Sequence, residues 1–434
     1  MKTRLYNILS LLLFIFASTI NGQIRQDSIT MGTNYSNDVW YNLNIGKVET
    51  SSNLNYHLAF SNMPGQTDMF YTIWINHSMI DVFVNPNQPA NDYVDFDSLN
   101  YKSWRRLQNT DTSWGKGGFA RGVESHPRYT WGMYGINGEI NGDSLYLLAL
   151  KTPGQFGYQS FYKLRITRRK STNGERDWIF RFAPLNNTWD STVKLNDNKN
   201  SFGNFTYYNF INKKEVNREP DAKNWDILFT RYSALQMPEN FHYEVTGVLQ
   251  NFDIETVKLK SNSISDIENN VILQIEQDVT FLSKRINAIG YDWKEFDRNT
   301  FKFKLNDTVV YGVKKKIDAS LNEYYLLKFT RFDGASNGKI VFDIKYLGDR
   351  NVNIPSNSFI HLLDIYPNPS STCIEFKIPS ALNQITIYDI TGKIVLSVLN
   401  NTQKIDISTF NQGIYFMTLI DEDGKKFQSK FIKQ

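Results

Sequence analysis

Apolar and polar residues alternate with a period of two along most of the chain. The alternation is clearest at 162–167, at 178–182 and at 301–305, where Phe301, Phe303 and Leu305 are separated by lysines. Strands with one buried face have this period, because successive side chains point to opposite faces of a sheet. No stretch of comparable length carries a 3.6-residue apolar stripe with helix caps. The pattern therefore predicts an all-β protein in which these apolar positions, the two Phe residues included, face a core.

Segments of the first half recur in the second half. The matching pairs are VWYNLNIGKVE at 39–49 with TYYNFINKKEV at 206–216, NYHLAFSN at 55–62 with NWDILFTRY at 224–232, and YKLRITR at 162–168 with YLLKFTR at 325–331. An Asn-Gly pair follows each member of the last pair, and Asn-Gly between alternating runs is a strong hairpin signal. The repeat predicts two tandem antiparallel β-units, at 30–190 and 200–348.

The stretch NWDILFTRY is predicted to be a strand of the second unit. Trp225, Ile227 and Phe229 are expected to bury one face, and Asp226 is expected to cap or pair locally. The first unit has His57 where the second has Asp226. This difference makes His57 the first position to examine for a ligand.

The two ends of the chain have compositions of their own. Residues 1–22 carry Lys2 and Arg4 before an apolar run and a small, polar end, as a secretory signal peptide does. Polar residues 349–360 read as a linker. Residues 361–434 hold two alternating hairpins, with turns at Thr391-Gly392 and Asp423-Gly424, and are predicted to form a small β-sandwich.

Charge and cysteine content exclude some classes of protein. Removing Lys2 and Arg4 with the signal lowers the formal net charge from +4 to +2, so nucleic acid is not an expected partner. Cys373 is the single cysteine, which leaves the chain without an intramolecular disulfide. No later apolar run reaches the length of a membrane span, so no transmembrane segment is expected.

The C-terminal segment resembles the type A C-terminal sorting domain of the type IX secretion system of Bacteroidota. The residues that carry the resemblance are Tyr366, Pro367, Asn368 and Pro369, then Gly392 and Lys393 at the end of ITIYDITGK, and Gly413 and Tyr415 in GIYFMTLI. The resemblance implies that the type IX machinery is a partner. It also implies export across the outer membrane to the cell surface or the extracellular space.

The two units resemble HmuY-like haem-binding proteins, a family of secreted or surface-attached β-proteins. The second unit carries this resemblance in the run 207–210, in NWDILFTRY, in IGYDWKEF at 289–296 and in VVYGVKKK at 309–316. The resemblance implies haem as a cofactor, and haem or a haem-carrying protein as a partner. On this basis the chain is expected to be a haem-binding and haem-scavenging protein.

A haem site needs an apolar slot and one or two His or Met side chains directed at the iron. The candidates are His57, His77, His126, Met133, Met237 and His242. His57 is expected to point away from the face formed by Tyr56, Leu58 and Phe60. No spacing rule selects a pair, and the sequence does not identify a metal site.

The alternative is a surface adhesion module, or a module that binds glycan or protein, on the same β fold without haem. Exposed loop aromatics at Trp114, Tyr129 and Trp131 would then form the contact surface. An enzyme is not expected. The block Gly142-Asp143-Ser144-Leu145 spells a hydrolase nucleophile motif, but no histidine has an aspartate three residues before it.

Overall fold

The computed structural model describes residues 22–62, 71–120, 128–129, 131–135, 138–172, 175–196, 203–267, 282–351, 361–362, 365–376, 382–398, 403–421 and 426–434. The prediction of an all-β protein is confirmed, since these residues form sheets joined by turns and short 3₁₀ segments, and the strand pairs are antiparallel except for that of His361–Leu362 with residues 427–428. The chain divides into two compact units, Met1–Arg350 and Asn351–Gln434, called here the large unit and the C-terminal unit. Among the described residues, no helix is long and apolar enough to cross a membrane.

The strands of the large unit are Arg25–Thr30 (β1), Asn37–Asn42 (β2), Gly46–Ser52 (β3), Leu58–Ser61 (β4), Ile73–Ile75 (β5), Ile80–Pro89 (β6), Arg128–Tyr129 (β7), Gly132–Tyr134 (β8), Glu139–Gly142 (β9), Ser144–Lys151 (β10), Tyr158–Thr172 (β11), Glu175–Pro184 (β12), Ser191–Asn196 (β13), Phe205–Asn209 (β14), Lys214–Val216 (β15), Ile227–Gln236 (β16), Phe241–Gln250 (β17), Ile254–Lys260 (β18), Lys294–Asp297 (β19), Lys302–Leu305 (β20), Val309–Lys316 (β21), Leu321–Phe332 (β22) and Lys339–Asn351 (β23). The 3₁₀ segments are Thr33–Tyr35, Ala90–Tyr93, Tyr101–Ser103, Ala222–Asn224 and Gly334–Ser336.

Two hydrophobic cores organise the large unit, and each contains residues of two sheets. The first core combines the four-stranded sheet β15-β14-β4-β5 with an eight-stranded sheet that runs β13-β12-β11-β9-β8-β7 and extends from β11 through β10 to β6. The second core combines the four-stranded sheet β17-β16-β2-β3 with the five-stranded sheet β1-β23-β22-β21-β18. The hairpin β19-β20 stands as a separate two-stranded sheet.

The two halves exchange their N-terminal strands. Strand β2 pairs with β16 of the second half, whereas β14, its counterpart in the repeat, pairs with β4 of the first half. In the same way β1 pairs with β23, and β13 pairs with β12. The expected tandem units at 30–190 and 200–348 differ from this arrangement, because Val39 and Tyr41 lie in the second core and Tyr208 lies in the first.

The stretch NWDILFTRY is buried on both faces. Ile227 and Phe229 are 0% exposed in the second core, as predicted. Trp225 is also buried, but it packs with Trp40 and Leu228 in a third cluster between the two cores, so the expectation of a shared face is wrong. A strand covered on both sides loses the simple alternation on which that expectation rested.

The C-terminal unit is a small β-sandwich, as predicted. Its strands are His361–Leu362 (β24), Ile365–Tyr366 (β25), Cys373–Phe376 (β26), Leu382–Asp389 (β27), Ile394–Val398 (β28), Lys404–Asp406 (β29), Gly413–Asp421 (β30) and Lys426–Lys433 (β31). They form a five-stranded sheet, β24-β31-β30-β27-β28, and a three-stranded sheet, β25-β26-β29, with one apolar core. This unit therefore has a core of its own.

Candidate functional site

His57 is an interior residue that holds the exchanged hairpin in place. Its side chain is 0% exposed, and its Nδ1 accepts a hydrogen bond from the backbone N–H of Phe210 at 3.2 Å. The counterpart Asp226 accepts from the backbone N–H of Leu43 at 2.7 Å, and Leu43 corresponds to Phe210 in the repeat. The first half thus has the His57 ring nitrogen, and the second half the Asp226 carboxylate, as the hydrogen-bond acceptor at the same structural position. The common face expected for Tyr56, Leu58 and Phe60 is wrong, because Leu58 and Phe60 lie in the first core whereas Tyr56 packs against the third cluster.

Asp226 also departs from the expected local pairing. Its other oxygen forms an ion pair with Lys315 at 3.0 Å, so both of its partners are distant in sequence. Burial raises the pKa of Asp226, because the interior disfavours its charged form.

The buried His57 predicts a stability change in acid. Burial lowers the pKa of His57 to about 4, so between about pH 6.5 and 4 the unfolded chain binds a proton that the folded chain excludes. Stability should fall as pH drops through this range. His57→Asn retains an acceptor for Phe210 and removes the titration. In urea denaturation at several pH values, the variant should lose less stability in acid than the wild type. Equal losses would contradict the assignment.

The remaining described haem-ligand candidates have different immediate contacts, although His77 and His242 lie close enough to interact electrostatically. His77 is buried, and its Nε2 accepts from the backbone N–H of Asn109 at 3.3 Å. His242 contacts the Ser233 hydroxyl at 3.1 Å. Met133 is 37% exposed on β8, and Met237 is 69% exposed after β16. His126 lies outside the described residues.

Two of the three aromatics expected to form a contact surface, Trp114 and Trp131, are buried. Trp114 is 6% exposed, and its indole N–H donates to the carbonyl of Gln250. Trp131 is 0% exposed, and its indole donates to the carbonyl of Tyr71. The side chain of Tyr129 is outside the described set. A buried indole needs an acceptor for its N–H, and both Trp residues have one.

Exposed aromatic rings occur elsewhere, around an open groove of about 670 Å³ between β17 and the β19-β20 hairpin. We call it the aromatic groove. Phe241 and Tyr243 project from β17 and are 49% and 61% exposed. Phe296 and Phe303 face them from the paired strands β19 and β20, with ring centroids 5.2 Å apart. Phe303 is 37% exposed and the adjacent Phe301 is 79% exposed, so the expectation that both face a core is wrong.

Polar groups accompany these rings. Gln236, Glu295 and Arg298 line the aromatic groove, and Gln236 accepts a hydrogen bond from the Tyr291 hydroxyl at 3.0 Å. Lys294 also lines it, but its ammonium is buried, donates to the carbonyl of Thr246 at 2.5 Å and lies 4.2 Å from the Trp293 ring centroid. Burial lowers the pKa of Lys294 to about 7.

The sequence contained a signal for this groove that the alternation obscured. Three phenylalanines fall within 296–303 among charged residues: Phe296 and Phe303 lie on strands of only four residues each, and Phe301 lies in the turn between them. A two-stranded hairpin outside the main sheets has no second layer to cover both of its faces. Its apolar side chains can therefore remain exposed while keeping a period of two.

A buried ion pair lies where the two cores meet. The Arg218 guanidinium lies 2.7 Å from the Asp38 carboxylate, and both side chains are almost fully buried. Three aromatic rings surround the guanidinium, with centroids 4.2 Å away for Tyr56, 4.9 Å for Tyr207 and 5.2 Å for Trp40. Such rings attract a cation through their negative faces.

The hydrolase-like block is a strand junction. Gly142 ends β9 and Ser144 begins β10, with the Ser144 hydroxyl donating to the Asp143 carboxylate at 2.9 Å. Within the described ranges, no group of three or more His, Cys, Asp or Glu side chains is arranged to hold a metal ion.

The residues of the sorting motif support the C-terminal sandwich. Asn368 donates to the carbonyl of Lys430 and accepts from the N–H of Ile432, which ties the 366–369 segment to β31. Gly392 has φ 82° in the turn before Lys393, where a side chain would be strained. Tyr415 is 6% exposed and stacks on Phe431 with centroids 5.5 Å apart. Gly413 begins β30.

Comparison with known proteins identifies the C-terminal unit. Residues 364–434 match the family model described as a secretion system C-terminal sorting domain. The chain therefore carries a type IX sorting domain, as its resemblance implied. This assigns it to the proteins of Bacteroidota that the type IX machinery secretes across the outer membrane to the cell surface or the extracellular space.

The other comparisons concern the chain as a whole. No curated protein matches the chain. One solved structure that aligns with the chain is that of PorZ, described as an essential bacterial surface component of the type IX secretion system of human oral-microbiomic Porphyromonas gingivalis. The alignment is 10% identical, has a TM-score of 0.15 and covers 69% of this chain and 44% of that one. The chain thus spans less than half of that structure. A TM-score of 0.15 does not indicate a shared fold. Neither match is to a haem-binding protein.

Proposed function

We propose that the protein is an exported binding protein, not an enzyme, that holds a carbohydrate chain in the aromatic groove. The observation that carries the proposal is the set of exposed rings of Phe241, Tyr243 and Phe296 around one open concave surface. Exposed apolar surface of this kind marks binding sites on soluble proteins. A sorting domain that directs the chain outward supports an extracellular ligand.

Carbohydrate fits the groove because a sugar ring has an apolar C–H face and a polar rim. The C–H face packs on an aromatic ring, whose own face is electron-rich. The hydroxyl rim needs hydrogen-bonding groups at the same spacing. Gln236, Glu295 and Arg298 supply them beside the rings. A continuous apolar patch without these groups would fit a protein surface better.

A glycan array tests this function. The mature chain, from Gln23 onwards, is labelled and applied to immobilised plant, mucin and bacterial-surface glycans. Binding to a family of related oligosaccharides, with competition by the free oligosaccharide, is the expected result. An array without signal above an unrelated labelled protein would contradict the carbohydrate proposal.

Haem is the second candidate, and Met237 is the observation that favours it. Its side chain is 69% exposed and follows Gln236, which lines the aromatic groove, and a Met thioether is a known haem ligand. None of the described candidate histidines lines this groove, which places carbohydrate first. Titrating the mature chain with haemin tests the idea through the Soret band. A saturable shift that Met237→Ala removes would support haem, and no shift at micromolar haemin would exclude it.

A further inference from the structure

A second site lies at the centre of the large unit, where its two cores meet. The side chains there enclose a cavity of about 60 Å³ next to the Arg218–Asp38 pair. A water needs roughly 10–15 Å³ of such space, so the cavity has room for a few waters or for one small molecule. It is separate from the aromatic groove, since the residues that line the two are different except for Glu244.

Many polar atoms around this cavity have no hydrogen-bond partner among the described residues. They are the indole Nε1 of Trp40, the indole Nε1 of Trp225, the Nε of Arg218, the Nδ1 of His77 and the Oδ1 of Asn204. All five residues are at least nine-tenths buried. Leaving a buried polar group unpaired is costly, so this many unpaired groups in one place indicate a partner from outside the protein.

The chemistry of these atoms selects the partner. The two indoles and the Arg218 Nε can only donate. His77 donates from Nδ1, because its Nε2 accepts from Asn109 and burial lowers its pKa to about 3, which keeps the ring neutral. Asn204 Oδ1, by contrast, is an acceptor. Donors therefore outnumber acceptors.

Two carboxylates around the cavity form ion pairs with arginines, and a third carboxyl, that of Glu219, can change its protonation state. Asp38 pairs with Arg218, and Glu244 pairs with Arg231 at 2.9 Å. Glu219 accepts hydrogen bonds from the Tyr207 hydroxyl and the backbone N–H of Phe205, both at 3.0 Å. Burial raises the pKa of Glu219 to about 7, so this carboxyl is largely neutral in mildly acidic solution.

An open vestibule borders the cavity. An open vestibule of about 460 Å³ shares His77, Arg231 and Glu244 with the cavity wall. Lys151 also lines the vestibule. The Arg231–Glu244 ion pair is part-exposed, and such pairs contribute little stability, so it can open without a large cost.

We propose that this cavity binds a small carboxylate, which enters through the vestibule and accepts hydrogen bonds from Trp40, Trp225 and Arg218. A carboxylate offers about four acceptor sites on two oxygens, which matches a wall rich in N–H donors. Charge-assisted hydrogen bonds of this kind are roughly twice as strong as neutral ones. The site would give the exported protein a small-molecule ligand in addition to the one in the aromatic groove.

The test uses sodium acetate as the probe and the mature chain at about pH 6. Acetate should raise the melting temperature in a saturable manner beyond sodium chloride of equal ionic strength, and calorimetric titration should give its Kd. Trp40→Phe, which removes one indole N–H and keeps an aromatic ring, should weaken acetate binding about fivefold to tenfold. Tyr311→Phe is the control: it removes a polar hydrogen that is also buried and unpaired among the described residues, but Tyr311 does not line the cavity. This control should bind acetate as the wild type does.

Trp225→Phe is a second variant that removes an indole N–H, and it should weaken acetate binding as well. Near-UV circular dichroism checks that each variant is folded. The proposal is overturned if acetate and chloride act alike, which would mean that the cavity holds only water. It is also overturned if folded Trp40→Phe and Trp225→Phe variants bind acetate as tightly as the wild type.

Discussion

A chain that lacks residues 361–434 should remain in the periplasm and should not reach the cell surface or the medium. The removed segment contains the whole matched sorting domain, residues 364–434, while the N-terminal signal predicted at 1–22 is intact. The measurement is cell fractionation with an antibody against the large unit. A chain without residues 1–22 is the control and should stay in the cytoplasm.

This deletion tests sorting more than folding. The large unit and the C-terminal unit are separately compact, and the apolar core of the C-terminal unit is formed by its own residues. The truncated chain should therefore keep the circular dichroism spectrum of a folded β-protein. Secretion of this chain at the wild-type level would contradict the assignment of the C-terminal unit.

Replacing Arg218 with alanine should lower the free energy of unfolding of the large unit by about 3–5 kcal/mol. The replacement leaves Asp38 buried without its cation, and it removes the group that Tyr56, Tyr207 and Trp40 surround. Since these residues come from both halves of the chain, the loss should loosen the contact between the two cores. Urea denaturation of the mature chain measures the effect.

Arg181→Ala is the matched control for Arg218→Ala. Arg181 pairs with Asp190 at 2.7 Å, but both side chains are about one-third exposed. Exposed ion pairs contribute roughly 0–1 kcal/mol, so this variant should change stability little. If the two arginine variants were equally stable, the Arg218–Asp38 pair would not be the structural link that its burial indicates.

Most of the secondary structure could be predicted from the sequence, because the period of two identifies strands directly. The repeat also identified real equivalents: Asp226 and His57 accept from Leu43 and Phe210, which occupy matching positions. The sequence did not predict that β2 and β14 would each pair with a strand of the other half. Alternation tells which residues share a face, but it does not tell which of two similar strands is the neighbour.

The candidate site was harder to predict for a related reason. His57 accepts a hydrogen bond from the backbone N–H of Phe210, which is 153 residues away in the sequence. The alternation of the strand does not predict such a distant partner. Trp114 lies in a loop-like sequence but is buried, whereas Phe301 lies in a strand-like sequence and is exposed. Burial at these positions depends on whether a second layer covers them, which is a property of the tertiary structure.

The most direct test of the account is glycan binding by a Tyr243→Ala/Phe296→Ala double variant. Both rings are exposed, so the variant should fold normally while losing its stacking surface. The matched control is Phe156→Ala, which removes a fully exposed ring in the loop after β10, outside the aromatic groove. For the oligosaccharides that the array selects, the double variant should bind at least about tenfold more weakly and the control should bind as the wild type does. A folded double variant with wild-type affinity would contradict the assignment of the aromatic groove as the binding site.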